Sequence, residues 1–350
     1  MKLKELVKIR TGKLDANASN EDGKYPFFTC SKIPLKIKNY SYNCECVLVA
    51  GNGDLNVKYY NGKFDAYQRT YIIETIDSSK LNTHFLFHFM SLYVNELKNQ
   101  SIGSAIKFIK LGNLQNANIP LYSLEKQLKI NSELDNYIRT IEMKQTELNL
   151  LNNLIKSRFV EMFGDPKTNS KQLPIMKPID ICESISAGGD KPKEVSDFET
   201  DEFCYPIYSN GEKDDGLYGW SKLYRIDKPA VTVSGRGTIG YASFRKSGKF
   251  TPIVRLIVLI PNNKINPIYL TYFLNFEREE GSGSGVQQLT VPMIKQKKII
   301  VPDIELQNEF ESFVKQVDKS KFINYSRYFL WEILTLFSST IAYSSVVSIF

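Results

Sequence analysis

The feature that most constrains this chain is that it reads the same way twice. Lys24-Tyr25-Pro26-Phe27-Phe28-Thr29 aligns with Cys204-Tyr205-Pro206-Ile207-Tyr208-Ser209, and Val49-Ala50-Gly51-Asn52-Gly53 with Val233-Ser234-Gly235-Arg236-Gly237. Gly62-Lys63-Phe64 matches Gly248-Lys249-Phe250, and Arg69 falls opposite Arg255. Phe85-Leu86-Phe87-His88-Phe89 matches Tyr269-Leu270-Thr271-Tyr272-Phe273, and Ile119-Pro120 matches Val301-Pro302. A period of about 180 residues is far longer than that of a solenoid, so it implies two similar globular domains rather than a stack. The length of 350 residues agrees with about two domains.

Each half follows one order. Short β-like runs bounded by turn residues come first (residues 46–50 and 230–234), then a short helix (83–97 and 267–277). A polar stretch follows, then a β-like run ending in an X-Pro step that favours an extended approach and a fresh helix start. Residues 124–162 contain no Pro or Gly and predict one long helix. Along it, Leu134, Ile141, Leu148, Ile155 and Met162 form an apolar series at heptad spacing, while Asn131, Ile138, Gln145, Asn152 and Phe159 form a mixed one. At about 1.5 Å per residue this helix spans roughly 58 Å, and Gly164-Asp165-Pro166 stops it. So long a helix, polar on one side, needs a partner for its seam. Leu306, Phe310, Phe313, Val314 and Val317 offer a stripe at helical spacing. In an antiparallel pair, Leu148, Ile155 and Met162 meet the early part of the second helix and are covered, whereas Leu128 and Leu134 face the region after Lys321.

The net charge of +7 permits a nucleic-acid partner without demanding one. The 20 Tyr and 21 Phe suit a surface that touches sugar, phosphate and base edges, although an AT-rich coding sequence accounts for the same counts. Five cysteines with no C-x-x-C pair point to reduced thiols and a cytoplasmic setting. Cys44 and Cys46 alternate along a strand with no second ligand pair, so metal binding is not expected there. The N-terminal segment lacks the apolar core of a signal peptide. The sequence carries no phosphate loop, no Asn/Asp-Pro-Pro-aromatic run and no nuclease carboxylate–lysine cluster. Gly235-Arg236-Gly237-Thr238-Ile239-Gly240 matches G-x-G-x-x-G, but residues 241–245 continue as β-like, so a strand–turn–strand is expected rather than a dinucleotide site. His84 and His88, the 2 histidines, share a helix face without an H-E-x-x-H pattern or a third His; ordinary packing and no metal are expected. Covalent catalysis through a His-paired nucleophile is not expected.

Three features taken in order carry a resemblance: the duplication, the Ile119-Pro120 and Val301-Pro302 helix entries, and the run Ser157-Arg158-Phe159-Val160-Glu161-Met162-Phe163-Gly164-Asp165-Pro166. Tyr205-Pro206-Ile207-Tyr208-Ser209-Asn210-Gly211 and residues 233–240 add to it. On these, residues 1–321 resemble the specificity (S) subunits of type I restriction–modification systems. The resemblance implies an α+β fold with two target-recognition domains (residues 1–123 and 165–303). Long, antiparallel, coiled-coil-like spacer helices join them (124–164, and the start of a second at 304–321), with Leu134, Ile138, Ile141, Leu148, Ile155, Phe159 and Met162 on the spacer and partner face. It implies a non-catalytic reader of a bipartite site on double-stranded DNA, bound by two methyltransferase (M) subunits, which motor–nuclease restriction (R) subunits can join. S-adenosylmethionine, ATP and magnesium then belong to those partners. This chain takes no cofactor and no small-molecule substrate.

Major-groove reading uses Arg or Lys for guanine and Asn or Gln for adenine. Candidate DNA-binding residues are therefore Ser31, Lys32, Asn52, Asp54 and Asn56 in the first half, and Asn210, Lys213, Arg236, Thr238 and Arg245 in the second. Arg69 and Arg255 lie within apolar runs and are expected to be structural. Residues 322–350 depart from the resemblance. Within them 328–350 are apolar with Glu332 the only charge, long enough to span a membrane, yet only Lys319, Lys321 and Arg327 precede them as basic residues. A second spacer helix cut short and continued from another reading frame is the expectation for this tail. The rival readings are a self-contained restriction or modification enzyme and a membrane-held interaction protein.

Overall fold

The structure, a computed structural model, describes residues 1–246, 248–278 and 288–321. It divides into two compact units within one long helix: the first takes Met1–Lys144 and the second begins at Gln145.

The first unit is built on β1 (Val7–Thr11), β2 (Tyr25–Phe28), β3 (Leu35–Ile37), β4 (Tyr42–Ala50), β5 (Val57–Ala66) and β6 (Thr70–Thr75), in the order β1-β6-β4-β5-β2-β3. All neighbours are antiparallel except β2 and β5, which pair in parallel at Phe27–Asp65 and Phe28–Ala66. Successive residues of a strand face opposite sides, and β4 is apolar on both. Val47 and Val49 join Ile73 beneath α1 (Thr83–Gln100), whose Phe85, Leu86 and Met90 are buried there. Cys46 and Leu48 join Phe28, Phe64 and Ile72 on the opposite face. The short α2 (Leu111–Gln115) leads to Ile119-Pro120, and then α3 (Leu124–Phe163) begins.

The second unit repeats this plan with one strand divided. Its elements are β7 (Ile175–Met176), α4 (Pro178–Ile181), β8 (Cys182–Ala187), β9 (Tyr205–Tyr208), β10 (Leu217–Ser221), β11 (Ala230–Val233), β12 (Ala242–Arg245), β13 (Thr251–Pro252) and β14 (Ile257–Pro261). Then come α5 (Pro267–Glu277), α6 (Val291–Gln296), β15 (Ile299–Ile300) and α7 (residues 304–321). The strands form a sheet β12-β11-β14-β8 and a smaller sheet β10-β9-β13, with β7 and β15 paired separately. Again the central strands are apolar on both faces: Val231, Val233, Ile257 and Leu259 pack in the cluster of α5, and Ala230 and Val258 pack with Phe250 on the other side.

The expected helix over 124–162 is α3, one residue longer. Ile155, Phe159 and Met162 are buried in the second unit's core, where Phe159 and Phe163 lie 5.3 and 5.5 Å from Phe310 of α7. Arg158 reaches Glu309 at 2.8 Å. Leu148, expected to be covered, is half-buried. Leu134 is half-buried too, and Leu128, Ile138 and Ile141 are exposed. The short helices α2 and α6 are not foreseen in the sequence, because a single turn or two shows no periodicity. Among the described residues no helix is long and apolar enough to cross a membrane. The tail after residue 321, with its reading-frame and anchor expectations, lies outside the described residues.

Candidate nucleic-acid interface

Each unit carries a Gly-X-Gly turn, Gly51-Asn52-Gly53 in the first and Gly235-Arg236-Gly237 in the second. At the first, Gly51 N donates to Arg69 O at 2.8 Å, and Gly51 O accepts from Ile109 N at 2.9 Å. A Cβ on Gly51 would stand 2.4 Å from Arg69 O, so only glycine lets the backbones approach this closely. At the second, Gly235 O accepts from Leu289 N at 2.8 Å, and a Cβ would stand 2.7 Å from Leu289 O. Two residues on, Gly53 (φ 69°) and Gly237 (φ 66°) take the left-handed conformation in open space. Between each pair, Asn52 is half-buried and Arg236 is exposed.

Around the first turn the structure brings the expected residues together. Exposed Ser31 and Lys32 lie beside it, with Lys32 Nζ 3.2 Å from Asp54 Oδ2, and Lys98 reaches the same carboxylate at 3.8 Å. Asn56 holds the turn from below, donating to Cys30 O and Asp54 O at 2.8 Å each while its carbonyl accepts from Lys58. Burial lowers the Lys58 pKa. Around the second turn, Asn210 donates to Val254 O at 2.8 Å and accepts from Gly235 N at 2.7 Å, so both ends of its amide hold backbone. Arg236 donates to Gln288 at 3.2 Å. The Thr238 hydroxyl is buried with no hydrogen-bond partner among the described residues. Lys213 is exposed and opens a 3-10 turn, Lys213–Gly216, that also carries Asp214 and Asp215 at positive φ.

Two arginine expectations do not match the observed placement. Arg245 is 6% exposed: its Nε donates to Thr232 at 3.0 Å, its Nη2 to Asp215 O at 2.5 Å, and it lies 3.7 Å over the Tyr208 ring. Burial lowers its pKa against the pull of Tyr208 and Asp215. It braces the interior of its unit, because β12 turns its side chain inward. Arg69 and Arg255, expected as structural, are both exposed. Each lines a small pocket beside its turn, Arg69 with Gly51, Tyr71 and Ile109, and Arg255 with Gly235, Ile257 and Leu289. Arg255 (φ 59°) and Val254 (φ 51°) both sit in the left-handed region. For a β-branched residue that is an outlier, and such strain clusters at ligand-contacting sites.

Sequence reading missed two buried braces at the starts of α1 and α5. Asn82 caps α1 by accepting from the His84 and Phe85 amides, and its own amide N donates to Gln127 Oε1 at 2.9 Å. Gln127, fully buried, donates in turn to Lys80 O at 2.7 Å and Tyr122 O at 2.8 Å. In the second unit Asn266 caps α5, its N donates to Gln307 Oε1 at 2.8 Å, and buried Gln307 donates to Lys264 O and Pro302 O. The available signal was a Gln seven residues after Pro120 and a Gln five residues after Pro302.

Comparison with known proteins assigns this architecture. A family model, the type I restriction modification DNA specificity domain, matches residues 1–153 and again 175–325. The chain belongs to that family, whose members carry sequence specificity and are not themselves catalytic. It is 28% identical over 322 residues to a putative type I specificity subunit of Mycoplasma pneumoniae, covering 88% of this chain and 86% of that protein. It is 37% identical over 156 residues to the EcoDI specificity subunit of Escherichia coli, covering 45% of this chain and 34% of that subunit. The chain thus spans about a third of the E. coli relative's length and most of the mycoplasmal one's. Its fold is similar to the crystal structure of a type I S subunit from M. genitalium, with TM-score 0.64 and 15% identity over 95% of this chain and 92% of that one.

Proposed function

We propose that the chain reads double-stranded DNA at two half-sites, one per unit, each through its Gly-X-Gly turn and the arginine beside it. The observation that carries this reading is the recurrence of one device: a glycine packed on backbone, a variable side chain, a left-handed glycine in open space, and an exposed arginine lining a pocket alongside. Arg236 and Arg255 suit guanine edges, and Asn52 suits adenine. Lys32 and Lys213, both exposed, suit phosphates. Ser31, Asp54, Asn56, Asn210 and Thr238 shape the turns that present them, and Arg245 braces the interior of the second unit through Thr232, Asp215 and Tyr208.

We read the two units as an internal duplication, target-recognition domains over residues 1–123 and 165–303. The last turns of α3 and the first turns of α7 start an antiparallel spacer pair, a reading supported by the Phe159, Phe163 and Phe310 cluster and the Arg158–Glu309 ion pair. The exposed apolar residues of α3, Ile138 and Ile141 among them, suit a face that binds two methyltransferase subunits, with restriction subunits able to join. Catalysis, S-adenosylmethionine, ATP and magnesium then reside in the partners, and the five free thiols fit the cytoplasm.

The test is DNA binding by the assembled methyltransferase carrying single substitutions. Arg236→Ala and Arg255→Ala are expected to cost about 1–3 kcal/mol and to relax preference in one half-site, Asn52→Ala and Arg69→Ala in the other. An equal loss on every sequence would make these phosphate contacts and end the base-reading assignment. Single-molecule mapping of methylated adenines in cells with and without the gene identifies the site itself.

A further inference from the structure

The expectation that His84 and His88 merely pack overlooks a third residue that the fold supplies. α3 brings Asp135 against both. His88 Nε2 lies 3.1 Å and His84 Nε2 3.4 Å from one carboxylate oxygen, Asp135 Oδ1. The donor atoms of the three residues all lie within 4.8 Å of one another. The imidazoles stack on each other with centroids 4.8 Å apart, and His84 also stacks on Tyr59 at 5.0 Å. Tyr59 is itself tied by a 2.8 Å hydrogen bond to Glu45. The ligand set is thus held in place before any ion arrives. The His88 side chain is 6% exposed, whereas His84 (33%) and Asp135 (36%) leave one side open to water.

Donor atoms at about 2.0–2.1 Å from a tetrahedral zinc ion stand about 3.3 Å from one another. The two His–Asp separations are already of that size. We propose that His84, His88 and Asp135 form a binding site for one late first-row divalent cation of the zinc class, with water completing the coordination on the open side. Two imidazoles and one carboxylate suit such a cation rather than magnesium or calcium, which prefer oxygen alone. The ion would tie α1, which packs on the sheet, to α3, and so fix how the long helix leaves the first unit. Its role is structural.

The second unit serves as an internal control. Counted from the caps Asn82 and Asn266, Ile268 and Tyr272 stand where His84 and His88 do. Counted from the buried glutamines, Lys315 stands where Asp135 does. Tyr272 packs against Phe310, and Lys315 pairs with Glu311 at 2.7 Å. An isoleucine, a phenol and an ammonium offer no cation site, so the site belongs to the first unit alone.

The experiment uses the full chain, stripped with a chelator and then dialysed against zinc alone. Desalted protein should retain about one zinc per chain, and a hundredfold excess over Kd should raise its Tm by about 5 °C or more. His84→Gln and Asp135→Asn, both at partly exposed positions that keep hydrogen-bonding groups, should fold normally and lose about tenfold or more in zinc affinity along with the Tm response. Cobalt(II) in place of zinc should show visible bands of a nitrogen and oxygen ligand set. The proposal is overturned if the wild-type chain retains no zinc, or if both variants bind it as the wild type does. A thiolate-to-cobalt charge-transfer band, assigning the ion to cysteines such as Cys44, would overturn it as well.

Discussion

Set side by side, the two units keep the same internal braces and change what surrounds them. The Asn82–Gln127 and Asn266–Gln307 pairs make the same hydrogen bonds, and the Gly51 and Gly235 carbonyls each accept a backbone amide, from Ile109 and Leu289. The frame bends more freely. In the first unit β5 runs unbroken from its pairing with β4 to its parallel step beside β2. In the second the same path is divided into β12 and β13, so one sheet of six strands becomes sheets of four and three. The residues around these braces differ: half-buried Asn52 stands against exposed Arg236, and half-buried His84 and buried His88 against half-buried Ile268 and Tyr272. A buried amide must find its partner or cost free energy, whereas an exposed side chain answers only to its ligand. That asymmetry lets one scaffold carry different side chains around the same braces.

The largest effect should come where α3 enters the second core. Phe159 is 1% exposed and ringed by Phe163, Tyr269, Phe276 and Phe310. Phe159→Ala should cost about 3–5 kcal/mol in urea unfolding, whereas Ile141→Ala, exposed on the same helix, should cost less than about 1 kcal/mol. Equal losses would mean that α3 is buried evenly along its length.

Next come the braces. Gln127→Ala and Gln307→Ala each orphan buried backbone groups at about 1–3 kcal/mol apiece, so both variants should be clearly destabilised and by similar amounts. Hydrogen exchange at the Asn82 and Asn266 amides should accelerate in the matching variant only; acceleration in neither would show that the glutamines are spectators.

The turns should grade more finely. Gly51→Ala and Gly235→Ala force a Cβ against a carbonyl and should exceed Gly53→Ala and Gly237→Ala, which meet open space and bear only the left-handed penalty of about 1–2 kcal/mol. Thermal melts of the four variants decide this, and the reverse order would break the proposed equivalence of the turns. The smallest effect belongs to Lys32→Ala. Its ion pair with Asp54 is exposed on both sides, so Tm should hold while DNA affinity drops and its salt dependence flattens. A fallen Tm with unchanged binding would make Lys32 a structural residue.

Much of this was legible in the linear chain. The bounds of α3, the strands around Val47–Val49 and Val231–Val233, and the strand–turn–strand at residues 230–245 all follow from periodicity and turn residues. The arginines were not legible. Whether an arginine inside an apolar run points inward depends on strand register and on a local left-handed kink, and neither leaves a compositional mark. Arg245 therefore faces in and Arg255 out. Nor did spacing reveal the braces, since each glutamine finds its partner more than forty residues away.

By itself the sequence determined where the central strands, the turn between them and the long proline-free helix fall, and put glycines where backbone must turn. These depend on local propensity and on alternation, which neighbouring residues settle among themselves. Only the tertiary structure decided which side chains meet. His84 and His88 reach Asp135, and Asn82 reaches Gln127, because α1 and α3 cross at one particular rotation and height. Side-chain packing between distant segments sets that crossing, and no short window of the chain contains it.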